Sequence, residues 1–236
     1  MKRIAVNIDP IALIRNVFTK DIPDPAHMVV LAELGGAESI VCCLREDNKT
    51  VSERDIKIIK EISKTHLNVR CGVDAESIRK LLTIKPDMIT FVAIDSKSLI
   101  EPQTVDLESF AETIGNLTAD LRANDILSSA FIEPDINLVR LASKVELDYI
   151  EINTLPYSRA EDLDQQVAEL ENLNNVVIAA NKLGMGVNAS GGLNQEVMRD
   201  LVKISFLEDM VAGEALIVKS LAIGLEQAVR DFSSLI

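Results

Sequence analysis

Histidine is nearly missing: the 236 residues hold two, His27 and His66. The first falls in a predicted helix and the second at the start of a predicted strand, so both read as structural. Acid-base chemistry then falls to Glu151, Asp9, Glu214 or Cys43. Cysteine is scarce as well. Cys42 and Cys43 are adjacent and Cys71 is distant, which excludes a CxxC zinc motif and an even disulfide framework. Reduced thiols fit a cytoplasmic protein, and no resident metal or cofactor is expected. Positive charge is in deficit, with 24 basic against 37 acidic residues and a net charge of -13. That balance disfavours nucleic acid and anionic membrane surfaces. A bound phosphate must be held by local backbone amides or a single arginine. Long apolar runs are absent too, because polar residues interrupt each one before it could span a bilayer. The basic start Met1-Lys2-Arg3 leads into an apolar run broken at Asn7 and Asp9, too soon for a secretory signal. With no low-complexity tract and no Gly/Ser linker, one domain over residues 1–236 is expected.

What is present is a repeating alternation of short β-type runs and amphipathic segments. At 47% hydrophobic residues the chain can bury a full core. Strands are predicted at Ile4–Ile8, Ser39–Leu44, His66–Val73, Met88–Ile94, Ile126–Ile132, Tyr149–Ile152, Gly186–Ala189 and Met210–Ala212. Pro10 ends the first strand, and Arg15–Ile22 reads as a loop closed by Pro23-Asp24-Pro25. Helices start at Asp24, Ser52, Asp74, Asp106 and Asp135, residues suited to cap them. Others run from about Glu161 to Gly184 and through Val197–Val202, and one last helix runs from Gly213 to Leu235. The stretch from Asp95 to Thr104 has no periodicity and reads as a mouth loop. A βα unit repeated eight times predicts a parallel sheet, and eight units can close. The fold class expected is α/β, a (β/α)₈ TIM barrel, with an open doubly wound sheet as the alternative.

Several predicted strands end in polar residues. Side chains alternate across a strand, so Asn7 pairs in orientation with Asp9, Cys43 with Arg45, Asn68 with Arg70, and Glu151 with Asn153, while Asn188 stands alone. In a barrel such tips converge on one mouth. Each has a structural explanation as well: an inward Asn can satisfy a neighbouring backbone, and an Arg can neutralise a nearby Glu. Cys43 is either a thiolate helped by Arg45 or a small buried apolar residue. Ser190-Gly191-Gly192 after strand seven and Gly213 before the last helix let backbone amides approach an anion. Glu214 opposes a phosphate there unless it points away.

These stretches together resemble the pyridoxine 5'-phosphate synthase family, barrel enzymes that condense 1-deoxyxylulose 5-phosphate with 3-amino-2-oxopropyl phosphate. The likeness covers almost the whole chain. It rests on Val-Asn-Ile-Asp at 6–9, Arg15-Asn16, Pro-Asp-Pro at 23–25, Leu-Arg-Glu-Asp at 44–47, Arg54-Asp55, Ile-Glu-Ile at 150–152, Val-Asn-Ala at 187–189 and Gly192-Leu193. The resemblance implies that Asn7, Gly192 and Gly213 hold the amino-ketone phosphate and that Asp9 and Arg45 hold the deoxyxylulose. It also implies that Glu151 stabilises the transition state. Departures gather at the proton-transfer positions. Cys43 and Gly191 stand where the family has histidines, and Arg70 where it has a glutamate base. Pro10, Thr50 and Glu214 also replace histidines, Phe18 an arginine and Ile100 a threonine, with Lys20 able to restore a positive charge. The substrate-facing set is therefore Asn7, Asp9, Arg45, Thr50, Arg70, Gly191, Gly192, Gly213 and Glu214, and the candidate catalytic groups are Glu151 and Cys43. A homo-oligomer taking a small phosphorylated metabolite is implied, with the family condensation altered or lost. The alternatives are a non-catalytic binder of such a metabolite and a barrel enzyme acting on a related sugar phosphate.

Overall fold

Runs rich in Ile and Val that are bracketed by helix-capping residues favour parallel strands covered on their outer side. The computed structural model, which describes residues 2–18, 21–95 and 103–236, has eight such strands. They are β1 (Arg3–Asn7), β2 (Ser39–Leu44), β3 (His66–Cys71), β4 (Met88–Phe91), β5 (Leu127–Ile132), β6 (Tyr149–Asn153), β7 (Gly186–Ser190) and β8 (Leu207–Ala212). Each pairs in parallel with its sequence neighbour, and β1 also pairs with β8, closing the barrel. The open sheet is thereby excluded.

Helices fill the crossovers: α1 (Asp9–Phe18), α2 (Pro25–Leu34), α3 (Glu53–Ile62), α4 (Ala75–Ile84), α5 (Leu107–Arg122) and α6 (Ile136–Lys144). After them come α7 (Leu155–Ser158), α8 (Leu163–Lys182), α9 (Gln195–Leu201), α10 (Glu214–Ile223) and α11 (Leu225–Ser233). The predicted caps are in place at five starts. Asp24, Asp74, Asp106 and Asp135 accept first-turn amides, and Ser52 forms a reciprocal capping box with Asp55. Alternate strand residues face opposite ways. Ile4, Val6 and Ile40 join the large core under the helices, whereas Ala5, Val41 and Val211 form a small separate cluster within the barrel.

Three expectations need correction. Arg15–Ile22 is not a loop throughout, because α1 runs from Asp9 to Phe18. Pro10, read as a strand stop, sits in the first helical turn, where its missing N–H costs nothing. The last helix is two, broken at Gly224 with φ 83°, and α7 after β6 was not anticipated. Lys20 and Ile100 lie outside the described residues.

The sequence placed Asn16 and Arg15 off any element, yet both tie α1 to the loop after β2. Asn16 Nδ2 donates to the carbonyls of Lys49 and Thr50, each at 2.9 Å, and Arg15 Nη1 pairs with Asp55 at 2.9 Å.

Candidate functional site

Strand residues that continue the inward row past the barrel interior reach the carboxyl ends of the strands. A cavity of about 770 Å³ opens there. Asn7 from β1, Arg70 from β3, Phe131 from β5, Asn153 from β6, and Gly191, Gly192, Gly213 and Glu214 from the last two strand ends all line it. Of the sequence-predicted set, Asn7, Arg70, Gly191, Gly192, Gly213 and Glu214 are thus brought together.

The floor is an ion pair between opposite walls. Arg70 Nη2 donates to Glu151 Oε1 and, at 2.7 Å, to Ser190 Oγ. Its guanidinium lies 5.8 Å from the Phe131 ring centroid, a cation–π arrangement. Arg70 is 1% and Glu151 0% exposed, and Arg70 Nε and Glu151 Oε2 have no partner among the described residues. Glu151 thus lies beneath the floor, shielded from the cavity by a cation that cannot accept a proton.

The glycine turn is closed from above by α7. Thr154 Oγ1 donates to the carbonyls of Gly191 at 2.6 Å and Ser190 at 3.1 Å. Gly191 has φ 106°, and a Cβ there would lie 2.7 Å from Asn153 Oδ1 and 3.1 Å from the Leu155 amide. A Cβ on Gly192 would overlap the Ser158 hydroxyl. Across the cavity, Gly213 precedes α10, whose first turn has no side-chain cap. Its free amides and the positive end of the helix dipole border the cavity. Glu214 is exposed beside them.

The other candidates are elsewhere. Glu151, Asp9, Cys43, Arg45 and Thr50 do not line the cavity, and each is buried. Asp9 Oδ1 accepts the Cys43 amide at 2.9 Å, and Thr50 Oγ1 donates to the Cys43 carbonyl at 3.0 Å. Arg45 forks onto Asp47 with two 2.9 Å bonds and donates to the Asp95 carbonyl at 3.2 Å. That fork holds the Asp47 carboxyl well below its usual range.

The thiolate reading of Cys43 is corrected by these surroundings. Burial pushes its thiol far up, the Asp9 carboxylate adds to this, and the opposing pull of Arg70 and Arg45 is outweighed. Cys43 is instead a small apolar residue, packed with Val92, Phe131 and Ile94. Asn68 and Asn188 are structural too. Asn68 accepts from Thr90 Oγ1 at 2.9 Å, and Asn188 accepts the Asp209 amide at 3.1 Å.

Burial raises Asp9 to about 7 against the lowering effect of the Cys43 amide and of Arg70 and Arg45. Its proton affinity in the folded state therefore exceeds that of an unfolded Asp near 3.9. Stability is full below about pH 4 and falls as pH rises toward 7, by a few kcal/mol at most. Asp9→Asn, which keeps the acceptor for the Cys43 amide, removes that slope. Urea denaturation at about pH 5 and about pH 8 reads it: wild type loses more than the variant, and equal losses would mean that Asp9 is ionised throughout.

Lining residues that the sequence did not single out include Phe131, Thr104 and Arg159. Strand alternation from Glu133 could have found Phe131. Arg159 follows α7 and left no signal. Glu133, a strand end in the sequence, accepts from Thr104 Oγ1 at 3.0 Å and from Asn153 Nδ2 at 3.0 and 3.2 Å on the rim. Among the described residues no cluster of three His, Cys, Asp or Glu side chains could hold a metal ion, and no helix is long and apolar enough to cross a membrane.

The family model described as "Pyridoxal phosphate biosynthesis protein PdxJ" matches residues 4–236. A pyridoxine 5'-phosphate synthase from Geobacter metallireducens is 36% identical over 236 residues, 100% of this chain and 99% of that protein. One from Geotalea uraniireducens is 35% identical with the same coverage. Among solved structures, 3-hexulose-6-phosphate synthase from Salmonella typhimurium superposes with a TM-score of 0.66 at 14% identity, covering 99% of this chain and 97% of that one. At that identity the likeness concerns the fold alone.

Proposed function

The chain belongs to the PdxJ family of pyridoxal phosphate biosynthesis proteins, and from that premise we propose that its cavity binds a small phosphorylated metabolite without carrying out the family condensation. It is a pyridoxine 5'-phosphate synthase-like barrel of vitamin B6 biosynthesis. The phosphate group docks on the amides of the Gly191-Gly192 turn and the uncapped first turn of α10, beside Asn7. Glu214 lines the cavity at that turn but is exposed, which leaves its carboxylate room to turn to solvent when phosphate binds. A cytoplasmic homo-oligomer fits the family likeness and the three free cysteines.

The observation that carries this reading is the Arg70–Glu151 pair on the cavity floor. Where the resemblance implies a glutamate base, a guanidinium occupies the site and takes the remaining carboxylate. Cys43 holds its proton, and Gly191 offers no side chain. Each general acid or base contributes roughly 10²- to 10⁴-fold, so three such losses remove nearly all turnover.

Complementation tests it. In a pyridoxine auxotroph the chain, expressed to normal level in soluble form, supports no growth without pyridoxine. Growth at the rate given by the Geobacter metallireducens relative would overturn the loss of condensation.

A further inference from the structure

Two adjacent glycines make a turn whose peptide planes are not held by any side chain of its own. Gly191 and Gly192 have φ 106° and 66°, and both line the cavity. Successive amides meet an anion only when they face it together, so in such a turn the direction of each N–H has to be set from outside. Thr154, between β6 and α7, is placed to do so. It is fully buried and does not itself line the cavity. Its N–H donates to the Ser190 carbonyl at 2.8 Å. Its Oγ1 donates to the same carbonyl at 3.1 Å and to that of Gly191 at 2.6 Å. Among the described residues no other group donates to the Gly191 carbonyl.

In a trans peptide the C=O and the N–H of one plane point in opposite directions. The Ser190 carbonyl shares its plane with the Gly191 amide, and the Gly191 carbonyl shares its plane with the Gly192 amide; both peptides are trans. Drawing the two carbonyls toward Thr154 therefore turns the two amides away from it. Neither amide has a protein acceptor among the described residues. From this we infer, on the phosphate-binding reading of the same turn, that Thr154 is a positioning residue: its hydroxyl holds the Gly191 and Gly192 amides in the direction in which they meet the anion. Without the hydroxyl the Thr154 N–H still holds the Ser190 carbonyl, whereas the plane carrying the Gly192 amide is released. Helix α7 has a second tie beside the turn, which separates orientation from stiffness. Tyr157 donates its hydroxyl to Asp200 Oδ2 on α9 at 2.8 Å, joining the two helices without touching either carbonyl.

Calorimetry of the full chain with inorganic phosphate, alongside thermal melts, tests the assignment. Thr154→Val keeps the shape of the side chain and loses the hydroxyl, and its phosphate affinity falls roughly tenfold. Thr154→Ser restores the donor and binds within about twofold of wild type. Tyr157→Phe also loses one buried hydrogen bond of α7 and lowers Tm, yet its phosphate Kd stays within about twofold of wild type. Thr154→Ala, which leaves space in place of the hydroxyl, is the second variant if Thr154→Val does not fold. Wild-type phosphate affinity in the hydroxyl-free variant, whatever its Tm, overturns the role of Thr154 and leaves phosphate binding intact. A Tyr157→Phe loss of affinity as large as that of Thr154→Val overturns it as well, because general loosening of α7 then accounts for both. A wild-type chain that binds no phosphate overturns the phosphate reading itself, and the role of Thr154 with it.

Discussion

Arg70→Met lowers the stability of the fold by about 3–5 kcal/mol, the loss typical when one partner of a buried ion pair is removed. Glu151, at 0% exposure, is left as an uncompensated carboxylate in the barrel, and Ser190 Oγ loses its donor as well. At about 2–4 °C per kcal/mol for a chain of this size, Tm falls by roughly 6–20 °C. The companion Arg70→Met/Glu151→Leu recovers most of that loss, since replacing both members of a buried pair by apolar residues is often neutral. Guanidinium denaturation of the three proteins measures it. If the single variant stayed within about 1 kcal/mol of wild type, the pair would be hydrated rather than buried, and the reading of Arg70 and Glu151 as a buried ion pair under the cavity would fail.

Gly191→His fails to restore a proton donor, although a histidine is what the family likeness implies at that position. The backbone at φ 106° disfavours any L side chain. The first atom of that side chain also meets Asn153 Oδ1 at 2.7 Å and the Leu155 amide at 3.1 Å. Asn153 is itself bonded to Glu133 and to the Leu155 amide, so the turn or α7 has to move. The strain is on the order of 1–3 kcal/mol, and the displaced turn loses phosphate affinity. Gly191→Ala carries the same steric and backbone cost, so both variants show a matching fall in Tm and at least a tenfold weaker binding of inorganic phosphate, about 1.4 kcal/mol. A histidine variant with wild-type Tm and phosphate affinity would show that the turn is open. A triple reversion with Arg70→Glu and Cys43→His would then become a fair test of latent synthesis. With the turn closed, that triple variant does not restore synthesis.

Much of this geometry is readable from local pattern. Alternation along a strand depends only on backbone stereochemistry, and it assigned Asn7, Arg70 and Glu151 to the inward row before any contact was known. Capping residues located five helix starts for a similarly local reason, because a side-chain oxygen at Asp24 or Ser52 answers amides within its own first turn. Elements whose signals point two ways were misread. Pro10 stops a strand and starts a helix with equal ease. Leu155–Ser158 is too short to show a period, and α10 is apolar all round, which hid the break at Gly224.

Which polar tips share the cavity was readable only in part. Alternation says which face a side chain occupies, not which neighbour takes its hydrogen bonds. Arg45 turned to Asp47, two residues on, and Thr50 turned back to the Cys43 carbonyl; both bonds depend on how the loop after β2 folds against α1. Arg70 and Glu151 lie on strands three apart, 81 residues distant in the chain, and only a closed ring of strands brings them across to each other.

The order of residues dictates an eight-unit βα chain with its inward and outward faces, since these depend on local periodicity, and its resemblance to the family marks Cys43, Arg70 and Gly191 as replacements of proton carriers. Closure of the barrel decided that Arg70 neutralises Glu151 and that Cys43 keeps its proton. Burial and pairing between distant strands set those outcomes, and neither is a property of any single stretch.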